Sequence, residues 1–250
     1  MAEQLSGEWR LRPVLAAVIS TGKPVRGTVS QVGAPAPPAP FFTISREVGA
    51  GGNTLAQALV LALNRHVDAG ERPWEAYDRE LVEKVAADHH ISSSLIASLG
   101  DSGHSWFREV LSGLPGDSAE PSEFNLYRRV AQTIRALAQA GRVVLVGRGG
   151  VYITHRMPGG IHVRLVAPLE HRVNNMARQL NLNPGAAADH VRRLDKNRAA
   201  FYHHYWPQFQ LTPDTFTITF NTAQLTEDQM TDTLATLMLR RPRPRLTGVS

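Results

Sequence analysis

The sequence predicts an α/β domain, a mostly parallel sheet flanked by helices, on three observations. Short apolar runs alternate with longer stretches at helical spacing along most of the chain. Short strands separated by helices are the pattern of a mostly parallel sheet covered on both faces, and Val143-Val-Leu-Val146 is apolar throughout. A glycine cluster then joins the first run, Phe42-Thr-Ile-Ser-Arg46, directly to the first helical stretch at Leu55-Ala56.

Residues 1 to 40 differ in composition from the rest and are read as a flexible N-terminal extension. Within them, Trp9 to Ile19 is too brief to stand alone as a helix. Gly33-Ala-Pro-Ala-Pro-Pro-Ala-Pro40 is a stiff connector whose four prolines lack the N–H that a sheet ladder needs. The domain is expected over 41–239, followed by a basic tail at 240–250. Its elements are a strand at 41–46, a helix at 54–67, a short segment at Ala76-Tyr77-Asp78, helices within 79–99 and a long helix near 123–140. Ser92-Ser-Ser94 and the breakers from Gly113 to Pro121 mark the region between about 90 and 122 as a mobile insertion. Strands follow at Val143-Val-Leu-Val146 and Ile161 to Val166, then helices from Leu169 to about Leu180 and near 185–205. A strand at Phe216 to Phe220 and a helix near 226–239 complete the domain.

Such sheets bind ligands beyond the carboxyl ends of their strands, and the glycine cluster lies there. Gly49, Gly51 and Gly52 can adopt backbone angles closed to other residues, so successive N–H groups can converge on an anion at the positive end of the following helix. With Asn53 and Thr54 they form a candidate cradle for a nucleotide phosphate. The standard phosphate loop, G-x-x-x-x-G-K-[ST], is not matched, because Arg46 stands at its first glycine and Gly52 at its lysine. The dinucleotide pattern G-x-G-x-x-G also fails, which argues against a nicotinamide or flavin enzyme.

Composition narrows the classes further. With 250 residues and 42% hydrophobic content, the chain can bury one substantial core. It has no cysteine, which excludes disulfides, thiolate metal sites and cysteine nucleophiles and is compatible with a reducing cytoplasm. The formal charge is +5, partly from Arg240-Arg241-Pro-Arg-Pro-Arg245, read as a solvated end rather than a surface for nucleic acid or lipid. No membrane span or signal peptide is apparent, so a soluble cytoplasmic protein is expected. His89-His90 and His203-His204 are adjacent pairs that do not share a helical face, so no protein metal site is expected.

The segment Ile44-Ser45-Arg46-Glu47-Val48-Gly49-Ala50-Gly51-Gly52 resembles the loop of the cytidylate kinase-like family, Ile-Ser-Arg-Glu-aromatic-Gly-Ser-Gly-Gly, which also lacks the lysine. Tyr77-Asp78-Arg-Glu-Leu81 resembles the family's Tyr-Asp-Lys-Glu-Leu, and Val143-Val-Leu-Val-Gly-Arg148 resembles its Val-Ile-Val-Gly-Arg. Further matches are Ala167-Pro168-Leu-Glu170-His-Arg172, the lid-like Asp195-Lys-Asn-Arg198 with aromatics after it, and Phe216 to Phe220 ending in Asn221-Thr222. These segments, in order over about 41–239, imply a nucleoside monophosphate kinase fold with a helical lid, transferring the ATP γ-phosphoryl group to CMP or dCMP.

On that resemblance Arg46, Arg192, Arg193, Asp195 and Arg198 are the candidate catalytic residues, Asp195 being placed to orient Arg198 three residues on. Asp78 is either an acceptor-base contact or a helix N-cap. Arg148, at the end of an apolar strand, can fork two donors onto the acceptor phosphate. Arg172 is either a nucleotide contact or a surface ion pair. Val146 and Gly149 replace the two aspartates of ordinary cytidylate kinases, Asp-Gly-Arg-Asp, so either another acid such as Glu47 or Asp78 contributes or, as expected here, Mg2+ is held mainly by the phosphates. The alternatives are a non-catalytic nucleotide-binding module of the same fold, or a phosphotransferase for another small molecule.

Overall fold

The computed structural model describes residues 38–78, 82, 121–147, 149–207 and 210–241. At its centre, β1 (Phe41–Arg46) lies between β3 (Val143–Val146) and β4 (Gly160–Val166). Outside these, β2 (Glu75–Asp78) pairs with β3 and β5 (Ile218–Asn221) with β4, giving the order β2-β3-β1-β4-β5. All four pairings are parallel, so every strand ends at the same edge of the sheet.

The pleat sends neighbouring side chains to opposite faces, and both faces are buried. Phe41, Val143, Leu145 and Tyr77 pack with Ile134 and Leu137 of α2 (Pro121–Ala140). On the other face Phe42, Ile44, Val144, Val163 and Leu165 meet Leu55, Leu59 and Leu63 of α1 (Gly52–Asn64) and Leu234 of α6 (Glu227–Leu239). In β3 this two-sided burial matches an unbroken apolar run, Val143 to Val146. Helix starts are written locally: Thr226 and Gln229 form a capping box at α6. Asn183 caps Ala186 at the start of α5 (Pro184–Tyr205), with Pro184 where no N–H is needed.

Apart from starts one or two residues earlier, such as α1 at Gly52 rather than 54, element positions differ from expectation at three places. Helix α1 ends at Asn64 rather than 67, because the Asn64 amide bonds both backbone groups of Trp74 (3.1 Å and 2.7 Å) and turns the chain toward β2. Strand β5 starts at Ile218 rather than Phe216, since a 3-10 turn at Pro213–Thr215 precedes it. A short helix, α3 (Gly150–Thr154), was not expected; five residues are too few to show a period. Arg241, read as part of a solvated tail, instead donates to the carbonyls of Gly159 (2.7 Å) and Gly160 (3.0 Å) at the start of β4. The extension up to residue 37, the insertion from 83 to 120 and the tail from 242 lie outside the described residues. Among the described residues no helix is long and apolar enough to cross a membrane.

One buried polar pair crosses the sheet. Thr43 and His162 are register partners on β1 and β4, and their side chains bond at 2.8 Å. Burial, with His155 and Arg241 nearby, pushes the His162 pKa down to about 4. The fold therefore holds this imidazole neutral, and its contribution is complete above the unfolded pKa near 6.5 and is lost as pH falls toward 4. Between pH 7 and pH 5, His162→Asn, which keeps a partner for Thr43 without the titration, should lose about 2 kcal/mol less stability than the wild type in denaturant melts. Equal losses in both proteins would remove His162 from the acid response.

Candidate functional site

The last residues of β1 lead into a turn, residues 47–51, that ends on α1. Gly49 and Gly51 have φ of 80° and 79°, in the left-handed region where side chains are strained. Gly49 is also pressed against its neighbour: a Cβ there would lie 2.4 Å from the backbone oxygen of Arg172. The N–H groups of the first helical turn, at Gly52, Asn53 and Thr54, have no intrahelical acceptor, and Gly51 supplies no side-chain cap. No acid stands in that turn. Asn53 and Thr54 are exposed, and the Thr54 hydroxyl donates to the Gly51 carbonyl at 2.8 Å. The result is a preformed turn of donors at a positive helix end, suited to an anion.

The turn is held from behind by α4 (Leu169–Leu180). Arg172 on its first turn is buried, with 10% of its side chain exposed. Its guanidinium donates to the Ala167 carbonyl (3.0 Å), the Val48 carbonyl (3.2 Å) and Asp195 Oδ2 (2.6 Å), and lies 3.3 Å from Glu47 Oε2. The same Glu47 oxygen accepts from Ala167 N (3.1 Å), and Asp195 Oδ1 accepts from Val48 N (3.2 Å). One turn along α4, Asn175 donates to the Gly49 carbonyl at 3.0 Å.

These contacts revise the reading of the acids and of Arg172. Arg172 is neither an exposed ion pair nor turned outward to a ligand; it is a buried anchor for the loop. Asp195 is brought to the loop, yet both of its carboxylate oxygens serve Arg172 and Val48. Arg198, three residues on, donates to the Arg46 carbonyl, so α5 grips the end of β1 as well. Arg192 and Arg193 are not brought to the loop: both are exposed and reach back along α5 to Asp189 (3.6 Å) and His190 (3.1 Å). At the far end of α5, Trp206 stacks on Tyr152 of α3 at 4.5 Å, with Tyr202 beside it. Helix α5 is thus fastened at its middle and at its C-terminal end in the conformation described.

Asp78 closes β2 opposite Val146, at the same sheet edge as Arg46 and half-buried. Arg148, two residues beyond β3, lies outside the described residues. Among the described residues no three His, Cys, Asp or Glu side chains gather as a metal site.

The sequence profile of the cytidylate kinase-like family matches residues 41–224, from the first residue of β1 to the turn beyond β5. The chain belongs to that family. Its parallel sheet with a glycine loop after the central strand is a P-loop kinase-like fold, and a solved, uncharacterised protein from Eubacterium ventriosum shares it, with TM-score 0.58 and 19% identity over 81% of this chain and 99% of that one. At this identity the likeness establishes the fold alone. A shikimate kinase from Acinetobacter baumannii, solved in complex with shikimate, aligns with TM-score 0.42 and 18% identity over 80% of this chain and 93% of that one. Among curated proteins, uronate isomerase from Corynebacterium glutamicum is 23% identical over 143 residues, 54% of this chain. The chain spans 27% of that relative's length.

For this cytidylate kinase-like chain, sequence reasoning missed the loop anchors. Arg172 and Asn175 are three apart on one face of α4, immediately after the Ala-Pro-Leu-Glu joint, which was the available signal. Arg172→Met should destabilise the protein by about 3 kcal/mol, because it leaves the Glu47 and Asp195 carboxylates without their cation in a mostly buried place. A loss below about 1 kcal/mol in denaturant melts, as exposed pairs give, would mean that solvent already screens the cluster.

Proposed function

We propose that the chain is a nucleoside monophosphate kinase that transfers the γ-phosphoryl group of ATP to CMP or dCMP. The observation that carries this reading is the uncapped start of α1 behind two left-handed glycines, at the carboxyl edge of the central strand, in a chain of the cytidylate kinase-like family. Such a turn supplies backbone donors to the phosphates of the donor nucleotide, from Gly49, Gly51, Gly52, Asn53 and Thr54.

An oxygen of the acceptor's phosphate attacks the γ-phosphorus, the bond to the β,γ-bridging oxygen breaks, and ADP leaves with that electron pair. The attacking oxygen is already an anion, so no strong general base is required and positioning with charge neutralisation carries the rate. Magnesium, held mainly by the phosphates, would offset their charge. Asp78 and Arg148, at or just beyond the ends of β2 and β3, are the proposed contacts to the acceptor's base or ribose and to its phosphate. Arg198 is the proposed lid cation: it already touches the backbone of Arg46 at the start of the glycine turn. Arg192 and Arg193 would need a rearrangement of α5 to take part. The nucleotides are the partners this reading requires.

The full chain, with ATP and magnesium, should convert CMP or dCMP to the diphosphate in preference to AMP, GMP and UMP, as followed by chromatography. Arg198→Ala should lower kcat by roughly a hundredfold while changing the Kd for ATP only a few-fold, since its contact strengthens in the transition state. Binding of ATP without transfer to any nucleotide acceptor would overturn the kinase reading and favour a binding module.

A further inference from the structure

Two departures from the standard phosphate-loop pattern face each other in space. Arg46 occupies the position of the first glycine and Gly52 that of the lysine. A Cβ placed on Gly52 would lie 3.0 Å from Arg46 Cδ and 3.1 Å from both its Cγ and its Nε. The arginine stem therefore crosses the first turn of α1 through the space where a lysine stem would begin. Gly52 is buried under it, and Arg198 holds the Arg46 carbonyl, fixing the point from which the stem departs.

We propose that Arg46 and Gly52 act as one exchanged pair: the loop's cation enters from the end of β1, the helix position beneath it is emptied to let it pass, and the guanidinium serves the polyphosphate tail of the donor nucleotide. This rests on the kinase reading above and deepens it. The exchange keeps a positive charge at the loop and changes its form. A lysine offers a compact point charge, whereas a planar guanidinium can bond two phosphate oxygens at once. Each half of the exchange fails alone. Without Arg46 the loop carries no side-chain cation of its own, and with a side chain at position 52 the arginine stem must move.

The test compares wild type, Arg46→Ala, Gly52→Lys and the double variant, with binding of magnesium-ATP and of inorganic tripolyphosphate measured by calorimetry. Tripolyphosphate isolates the phosphate contact from any contact to the base. Arg46→Ala should weaken both ligands by roughly tenfold or more, as expected for a lost charge-assisted bond. Gly52→Lys should also weaken them. The double variant, which moves the cation back to the helix, should bind at least about tenfold better than Arg46→Ala alone. Melting curves accompany each protein. If Gly52→Lys does not fold in either background, Arg46→Gln and Arg46→Lys take its place: loss with Gln and substantial retention with Lys uphold the proposal, and equal affinity of the two overturns it. Arg46→Ala within twofold of wild type, or a folded double variant no better than Arg46→Ala, overturns the exchange while leaving the kinase reading intact. A wild type that binds neither ligand overturns both.

Discussion

The guanidinium of Arg172 sets the shape of the site. It reaches the backbone carbonyls of Val48 in the turn and of Ala167 after β4, and the carboxylates of Glu47 in the same turn and of Asp195 on α5. A buried arginine is tolerated only when its donors are matched, and a planar fork with several donors can match them only in a narrow range of geometries. The requirement runs in both directions. The arginine needs the loop where it is, and the loop's own carbonyls and acids are satisfied by the arginine. The phosphate turn, α4 and α5 are consequently fixed to one another before any ligand arrives, which removes part of the ordering cost from binding.

That arrangement also governs the sign of the site. Two carboxylates beside an anion cradle would repel a polyphosphate if they faced it. Instead both oxygens of Asp195 and the Oε2 oxygen of Glu47 are engaged behind the turn, on Arg172, Val48 N and Ala167 N. The side facing the helix start is left to backbone N–H groups. Arg46, whose stem lies over Gly52, adds positive charge there. Glu47, one of the acids that could stand in for a missing magnesium ligand, is in this conformation part of the scaffold.

Much of the sheet was legible because its signals are local. Unbroken apolar runs such as Val143 to Val146 report burial on two faces, and Thr226 with Gln229 marks a helix start without reference to anything distant. The glycine turn was legible for the same reason, since left-handed backbone at Gly49 and Gly51 leaves few residue choices. Arg172 was not, because its role depends on four partners spread from Glu47 to Asp195 and no spacing rule joins them. The pairing of Asp195 with Arg198 illustrates the opposite error: a valid local rule, three residues along a helix, is overruled when the third element packs close enough to claim the carboxylate.

The same distinction separates the two halves of the proposed reaction. The donor half is built from main-chain groups of one continuous stretch, residues 46–54, so a short sequence describes it nearly completely. An acceptor half must be assembled from side chains at the ends of separate strands. Asp78 ends β2 and Arg148 follows β3, and the parallel register of these two neighbouring strands sets Asp78 beside Val146. Phosphoryl transfer makes few demands on covalent chemistry, so a fixed donor half can be combined with many acceptors. On the proposed function, the choice of acceptor would reside in a few side chains along that strand edge, separate in sequence from the glycine turn after β1.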